Sequence, residues 1–159
     1  MCSVLPLMSE EYKGICHGII APTAKAALRT TKSGRIAVIA TDRTVMSHAF
    51  AEALLGMCPS LSVCELHAQP LVEIAERGGI PTAEAEAYIL SLVKRIRARK
   101  VDTVILGCTH FGALSDRLAP LLRGVTLVDS AYEGALSFCE GCSYQAKRDK
   151  KAIGKLMIM

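Results

Sequence analysis

Three short stretches of this 159-residue sequence carry side chains able to move a proton or hold a small polar ligand. The sharpest is Cys108-Thr109-His110, a thiol, a hydroxyl and an imidazole directly after the apolar run Val104-Ile105-Leu106-Gly107. A thiol at the end of a buried strand stands at the rim of a sheet. There the amides opening the next helix favour the thiolate, the form that acts as base or nucleophile. From the pattern alone, a reactive Cys108 and an ordinary small buried residue remain equally open. A second stretch places hydroxyls at Thr41, Thr44 and Ser47, a T-x-x-T-x-x-S spacing. The third runs from His67 to Gln69, where His67 reads most simply as a strand-end residue.

The remaining thiols point elsewhere. Seven cysteines are many for this length, but the number is odd and no disulfide framework is expected. Cys139 and Cys142 form a single C-x-x-C, which would need a second pair or histidines to close a zinc site. No metal and no cofactor are expected.

The elements that must position these groups alternate in type. Residues 35–41, 61–67, 103–107 and 125–129 are short apolar or β-branched runs, several preceded or followed by glycine. Between them lie helical patterns. VMSHAFAEALLGM places Met46, Phe50, Ala53 and Leu54 on one face, with Thr44 as a candidate cap. PLVEIAERGG is a short helix, and AEAEAYILSLVKRIRARK a longer one with Ala85, Ile89, Leu92, Val93 and Ile96 in line and a basic last turn. A further helix is expected over 111–123. PTAKAALRTTKSG reads as helical and CHGIIAP as a strand. Strands alternating with helices of crossover length specify an α/β domain: a parallel sheet of four to five strands with helices on both faces. Ligands of such sheets bind beyond the carboxyl ends of the strands, where all three polar stretches fall.

Composition narrows the class further. Half of the residues are apolar (51%), which allows a core and excludes a low-complexity chain. No apolar run is long enough for a membrane helix, and the first residues make a poor signal peptide, so a cytoplasmic protein with no membrane partner is expected. Within 143–159, five basic residues stand against Asp149 alone, so all of the net charge of +4 lies in that tail. The rest is neutral, and basic residues are not interleaved with aromatics, so no nucleic-acid partner is expected.

The string Gly107-Cys108-Thr109-His110-Phe111 is also where a resemblance becomes specific. The chain resembles the C-terminal part of glutamate racemase, of the cofactor-independent aspartate/glutamate racemase family. The resemblance rests on DTVILGCTHF, on the threonine pattern after the strand GRIAVIAT, and on VTLVDSAYEGA. It implies interconversion of L- and D-glutamate by two thiols on opposite faces of the α-carbon, supplying D-glutamate for peptidoglycan synthesis. Cys108 then corresponds to the second catalytic cysteine, with His110 assisting its thiol. Thr109, with His110, Thr41 and Thr44, would hold the substrate's polar groups. Glu76 matches an acidic residue supporting that side of the pocket and is expected to approach His110.

Two departures stand out. Ala68-Gln69 replaces a cysteine-proline pair usual in the family, and the family's C-N-T motif with the first catalytic cysteine has no counterpart. Cys2 and Cys16 do not match its position. Expected, then, is one domain of a two-domain enzyme: a remnant over 1–18, the racemase-like domain over 19–130, a returning helix cut short over 131–142 and the basic tail over 143–159. A homodimer or a complementing N-terminal domain would have to complete the site. The alternatives are an inactive or amino-acid-binding half-domain and an aspartate or hydantoin racemase relative.

Overall fold

The computed structural model describes residues 18–78 and 81–140. Cys2, Cys16, Cys142, the basic tail and all but the end of the 1–18 segment lie outside them. The described chain runs α1 (Ile20–Thr30), β1 (Arg35–Ala40), α2 (Asp42–Met46), α3 (Ala49–Met57), β2 (Ser62–His67), α4 (Pro70–Glu76) and α5 (Ala83–Ala98). It continues through β3 (Thr103–Leu106), a 3-10 helix (Thr109–Leu114), α6 (Ser115–Leu121) and β4 (Thr126–Asp129), and residues 130–140 are helical. The four strands form one parallel sheet in the order β2-β1-β3-β4.

Strand periodicity divides the core between the two faces. Ala37, Ile39, Leu66, Val104 and Leu106 face Leu71 of α4, Ile89, Leu92 and Ile96 of α5, and Phe111, Leu114 and Leu118 beyond β3. Ile36, Val38, Ala40, Ile105 and Val128 face Ala24 and Ala27 of α1, Val45 of α2, and Phe50 and Leu54 of α3. A sheet covered on both sides explains why β1 and β3 read as continuous apolar runs. The five apolar residues aligned along α5 are all buried. Thr82 caps this helix by accepting a hydrogen bond from the Ala85 amide at 3.1 Å, and Glu84 and Glu86 sit at its positive end.

Three local expectations are corrected. Ile20 and Ala21 begin a helix, not a strand; Pro22 is accommodated because the first turn needs no amide donors. The helix expected through VMSHAFAEALLGM is broken at His48, which is left-handed (φ 51°). Its Nδ1 pairs with the Glu65 carboxylate of β2 at 2.6 Å, which helps offset the roughly 1–2 kcal/mol such a conformation costs. Met46 is consequently turned outward, 74% exposed, and Thr44 meets the Thr41 hydroxyl rather than capping a helix. The segment 111–123 is not one α-helix but the tail of the 3-10 turn followed by α6. Gly112 causes this tight packing: a Cβ there would collide with the Asp129 carboxylate.

Candidate functional site

The carboxyl ends of β1, β2 and β3 lie side by side. The Ala68 amide donates to the Ala40 carbonyl and the Gly107 amide to the Ile39 carbonyl, both at 2.8 Å, so the chains leaving the two flanking strands, β2 and β3, close on the last residues of β1. Gly107 permits this approach. A Cβ there would meet the Ala40 Cβ at 3.0 Å, the Ile39 carbonyl oxygen at 3.1 Å and the Phe50 ring at 3.1 Å. With Gly107 pressed against β1, Cys108 is the first residue to emerge, partly exposed and at the N-cap position of the 3-10 turn.

That turn is anchored from below by Phe111 and Leu114, both buried, while Thr109 and His110 face outward. The His110 Nδ1 lies 3.5 Å from the Cys108 Sγ. On the far side of the ring, Nε2 lies 3.6 Å from Oε1 of Glu76, the last residue of α4. Thiol, imidazole and carboxylate therefore stand in line, contributed by two elements packed against each other. The thiol and the carboxylate approach different nitrogens of the ring, and at 3.6 Å the carboxylate is a charged neighbour rather than a hydrogen-bond acceptor. His110 and Glu76 are 48% and 60% exposed, so this pair orients the ring more than it stabilises the fold.

On the β1 side, the Thr41 and Thr44 hydroxyls are 3.0 Å apart and the Ser47 hydroxyl donates to the Thr44 carbonyl at 2.8 Å. These contacts gather two hydroxyls as a shelf just after β1, the strand that pairs with the one leading to Cys108.

One pair at the rim escaped sequence reasoning. His67 Nδ1 lies 3.0 Å from Asp42 Oδ1, and the Asp42 amide donates to Gln69 Oε1 at 3.3 Å. The signal was available: Asp42 follows β1 and His67 ends β2, and adjacent parallel strands bring their carboxyl ends together. Among the described residues, no group of three or more His, Cys, Asp or Glu side chains is arranged to hold a metal. No described helix is long and apolar enough to cross a membrane.

Comparison with known proteins places this arrangement in context. The profile of the Asp/Glu/Hydantoin racemase family matches residues 3–136. The glutamate racemase of Lactiplantibacillus plantarum is 32% identical over 132 residues, covering 82% of this chain and 48% of that protein. That of Pediococcus pentosaceus is 38% identical over 130 residues, covering 81% and 49%. Among solved structures, the glutamate racemase isoform RacE1 of Bacillus anthracis superposes with a TM-score of 0.76 at 30% identity, over 81% of this chain and 49% of the other. The chain thus spans about half the length of the relatives it matches.

Proposed function

The chain belongs to the Asp/Glu/Hydantoin racemase family, and from that membership we propose that its rim is one half of a glutamate racemase site. Cys108 exchanges the α-proton on one face of the substrate. The observation carrying this reading is the line Cys108–His110–Glu76 at the carboxyl end of β3, beside the Thr41–Thr44 shelf. The substrate assignment is supported by the relatives named glutamate racemase.

Inversion at a carbon needs a base on one face and an acid on the other, exchanging roles when the direction reverses. In one direction the Cys108 thiolate takes the α-proton and becomes a thiol. The electron pair stays on the α-carbon, delocalised into the carboxylate, until a second group delivers a proton to the opposite face. His110 holds the Cys108 proton in transit and Glu76 compensates the charge that develops on the ring. Thr41, Thr44 and Thr109 bind the substrate's polar ends. Thiols and hydroxyls suffice for each of these tasks, and no cofactor enters the scheme. Contributions of this kind are worth about 10²–10⁴-fold in rate. The second proton-transfer group comes from outside residues 18–140: from other parts of the polypeptide, a second copy or a complementing domain. The product, D-glutamate, would serve peptidoglycan synthesis in the cytoplasm.

The test is incubation of each glutamate enantiomer with the chain in D2O. Proton NMR follows α-deuterium and chiral separation follows inversion. Deuterium incorporation into one enantiomer without inversion, lost in Cys108→Ala, is the expected result for residues 1–159 alone. No incorporation into either enantiomer, or incorporation that survives Cys108→Ala, would sink the assignment. Efficient inversion would place the second group within this chain or a second copy. A Cys2→Ala variant then tells whether that thiol supplies it.

A further inference from the structure

A second feature lies on β2, at the edge of the described sheet. In the described sheet β2 pairs with β1 alone, and its Leu66 shares a core cluster with Ile89, Leu92 and Ile96 of α5. Between this strand and helix lies a cleft of about 320 Å³ lined by Leu66, Arg95, Ala98 and Arg99. Its volume lies at the lower end of the roughly 300–1,000 Å³ usual for small-molecule sites.

The charge in this cleft is unbalanced. Arg95 and Arg99 are one helical turn apart, which places their stems about 5–6 Å from each other on one face. Neither forms an ion pair among the described residues. Arg95 reaches only the His67 carbonyl, at 3.5 Å. Arg35 joins them from β1, spending its guanidinium on the Lys100 carbonyl (3.1 Å) and the Arg99 carbonyl (2.6 Å) rather than on an acid. The positive field reaches the floor of the sheet: burial raises the Cys64 thiol, and Arg99 and Arg35 act against that rise. A basic last turn suits a helix C-terminus, but that does not explain why Arg95 and Arg99 both line the cleft. Arg97 of the same turn faces elsewhere and donates to the Leu121 carbonyl.

We propose that this cleft is a binding site for a small phosphorylated ligand, its phosphoryl group gripped by Arg95 and Arg99 and its apolar body lying on Leu66 and Ala98. Two planar guanidiniums offer more donors than one carboxylate can accept, whereas a doubly charged tetrahedral phosphoryl group can engage both. The apolar floor favours an organic phosphate over the inorganic ion. Cys108, His110 and Glu76 do not line the cleft, and the proposal does not depend on the racemase reading.

Phenyl phosphate, inorganic phosphate and benzoate serve as probes, titrated without glutamate into the full chain in low-salt buffer. Calorimetry supplies Kd, and amide chemical shifts map the contact. Phenyl phosphate is expected to bind saturably, at least threefold tighter than inorganic phosphate and than benzoate, with shifts centred on Leu66, Arg95, Ala98 and Arg99. Arg95→Gln with Arg99→Gln should weaken it at least tenfold, while Arg123→Gln leaves it unchanged. Non-saturating binding, equal response to all three probes, or shifts centred elsewhere would overturn the proposal. The shift map on the unmodified chain decides the matter even if the double variant folds poorly.

Discussion

The Glu76 carboxylate meets His110 at 3.6 Å, on the side of the imidazole opposite the Cys108 thiol. Neither residue is near the other in sequence, and their meeting depends on α4 packing against the 3-10 turn. The consequence is measurable in the thiol's chemistry. Iodoacetamide at neutral pH should modify Cys108 faster than Cys58, Cys64 or Cys139. Glu76→Gln should slow that reaction by up to about fivefold, the range set by an exposed pair worth at most about 1 kcal/mol. Mass spectrometry of single-cysteine variants reads the rates. A Cys108 that reacts no faster than Cys139 removes the physical support for its role.

Gly107→Ala tests the seating of that thiol. The added methyl group would press on the Ala40 Cβ, the Ile39 carbonyl and the Phe50 ring, all within 3.1 Å. One of these is backbone and another a fully buried ring, so the strain has little outlet. A loss of about 1–3 kcal/mol is expected, visible as a lowered midpoint in urea, together with slower alkylation of Cys108.

Phe111→Ala should be more damaging. This ring is completely buried under the 3-10 turn and is the anchor that keeps Thr109 and His110 at the rim. Emptying its site should cost about 3–5 kcal/mol. Denaturant unfolding checks the magnitude.

At the opposite end of the sheet, Asp102 governs acid stability. Partial burial by itself would raise its carboxyl group. The Thr31 hydroxyl at 2.6 Å and the Ser33 and Lys32 amides at 2.6 and 2.8 Å outweigh that and hold it far below the ordinary carboxylate range. A group depressed in the folded state stabilises fully above its unfolded value, about 3.9, and loses that contribution as pH falls toward the folded value. Asp102→Asn should therefore cost of order 1 kcal/mol at neutral pH, the charged hydrogen bonds being discounted for contact with water. The gap between variant and parent melting temperatures should narrow below about pH 4. A gap independent of pH would show that the charge is not what matters.

Much of this architecture was present in the order of residues. Strand runs at 35–41, 61–67, 103–107 and 125–129 lie within a residue or two of β1 to β4. The α5 stripe from Ala85 to Ile96 is buried as its spacing requires. Both follow from local periodicity, because a segment's apolar pattern fixes which of its faces can be covered. The placement of Cys108 at a strand end follows as well, since the apolar run stops at Gly107.

What tertiary structure alone decided is set by contacts between distant segments. The strand order β2-β1-β3-β4 depends on how crossovers pack, which no single segment encodes. The break at His48 cannot be read from its helical neighbours, because the partner that compensates it, Glu65, lies on another strand. The same holds for Arg95 and Arg99 beside β2, which form no ion pair among the described residues. The turn after Cys108 is tight because Gly112 lies against Asp129, a residue of β4. Periodicity settles what each element buries; the side chains that meet at the ends of elements are chosen by the packing of the whole domain.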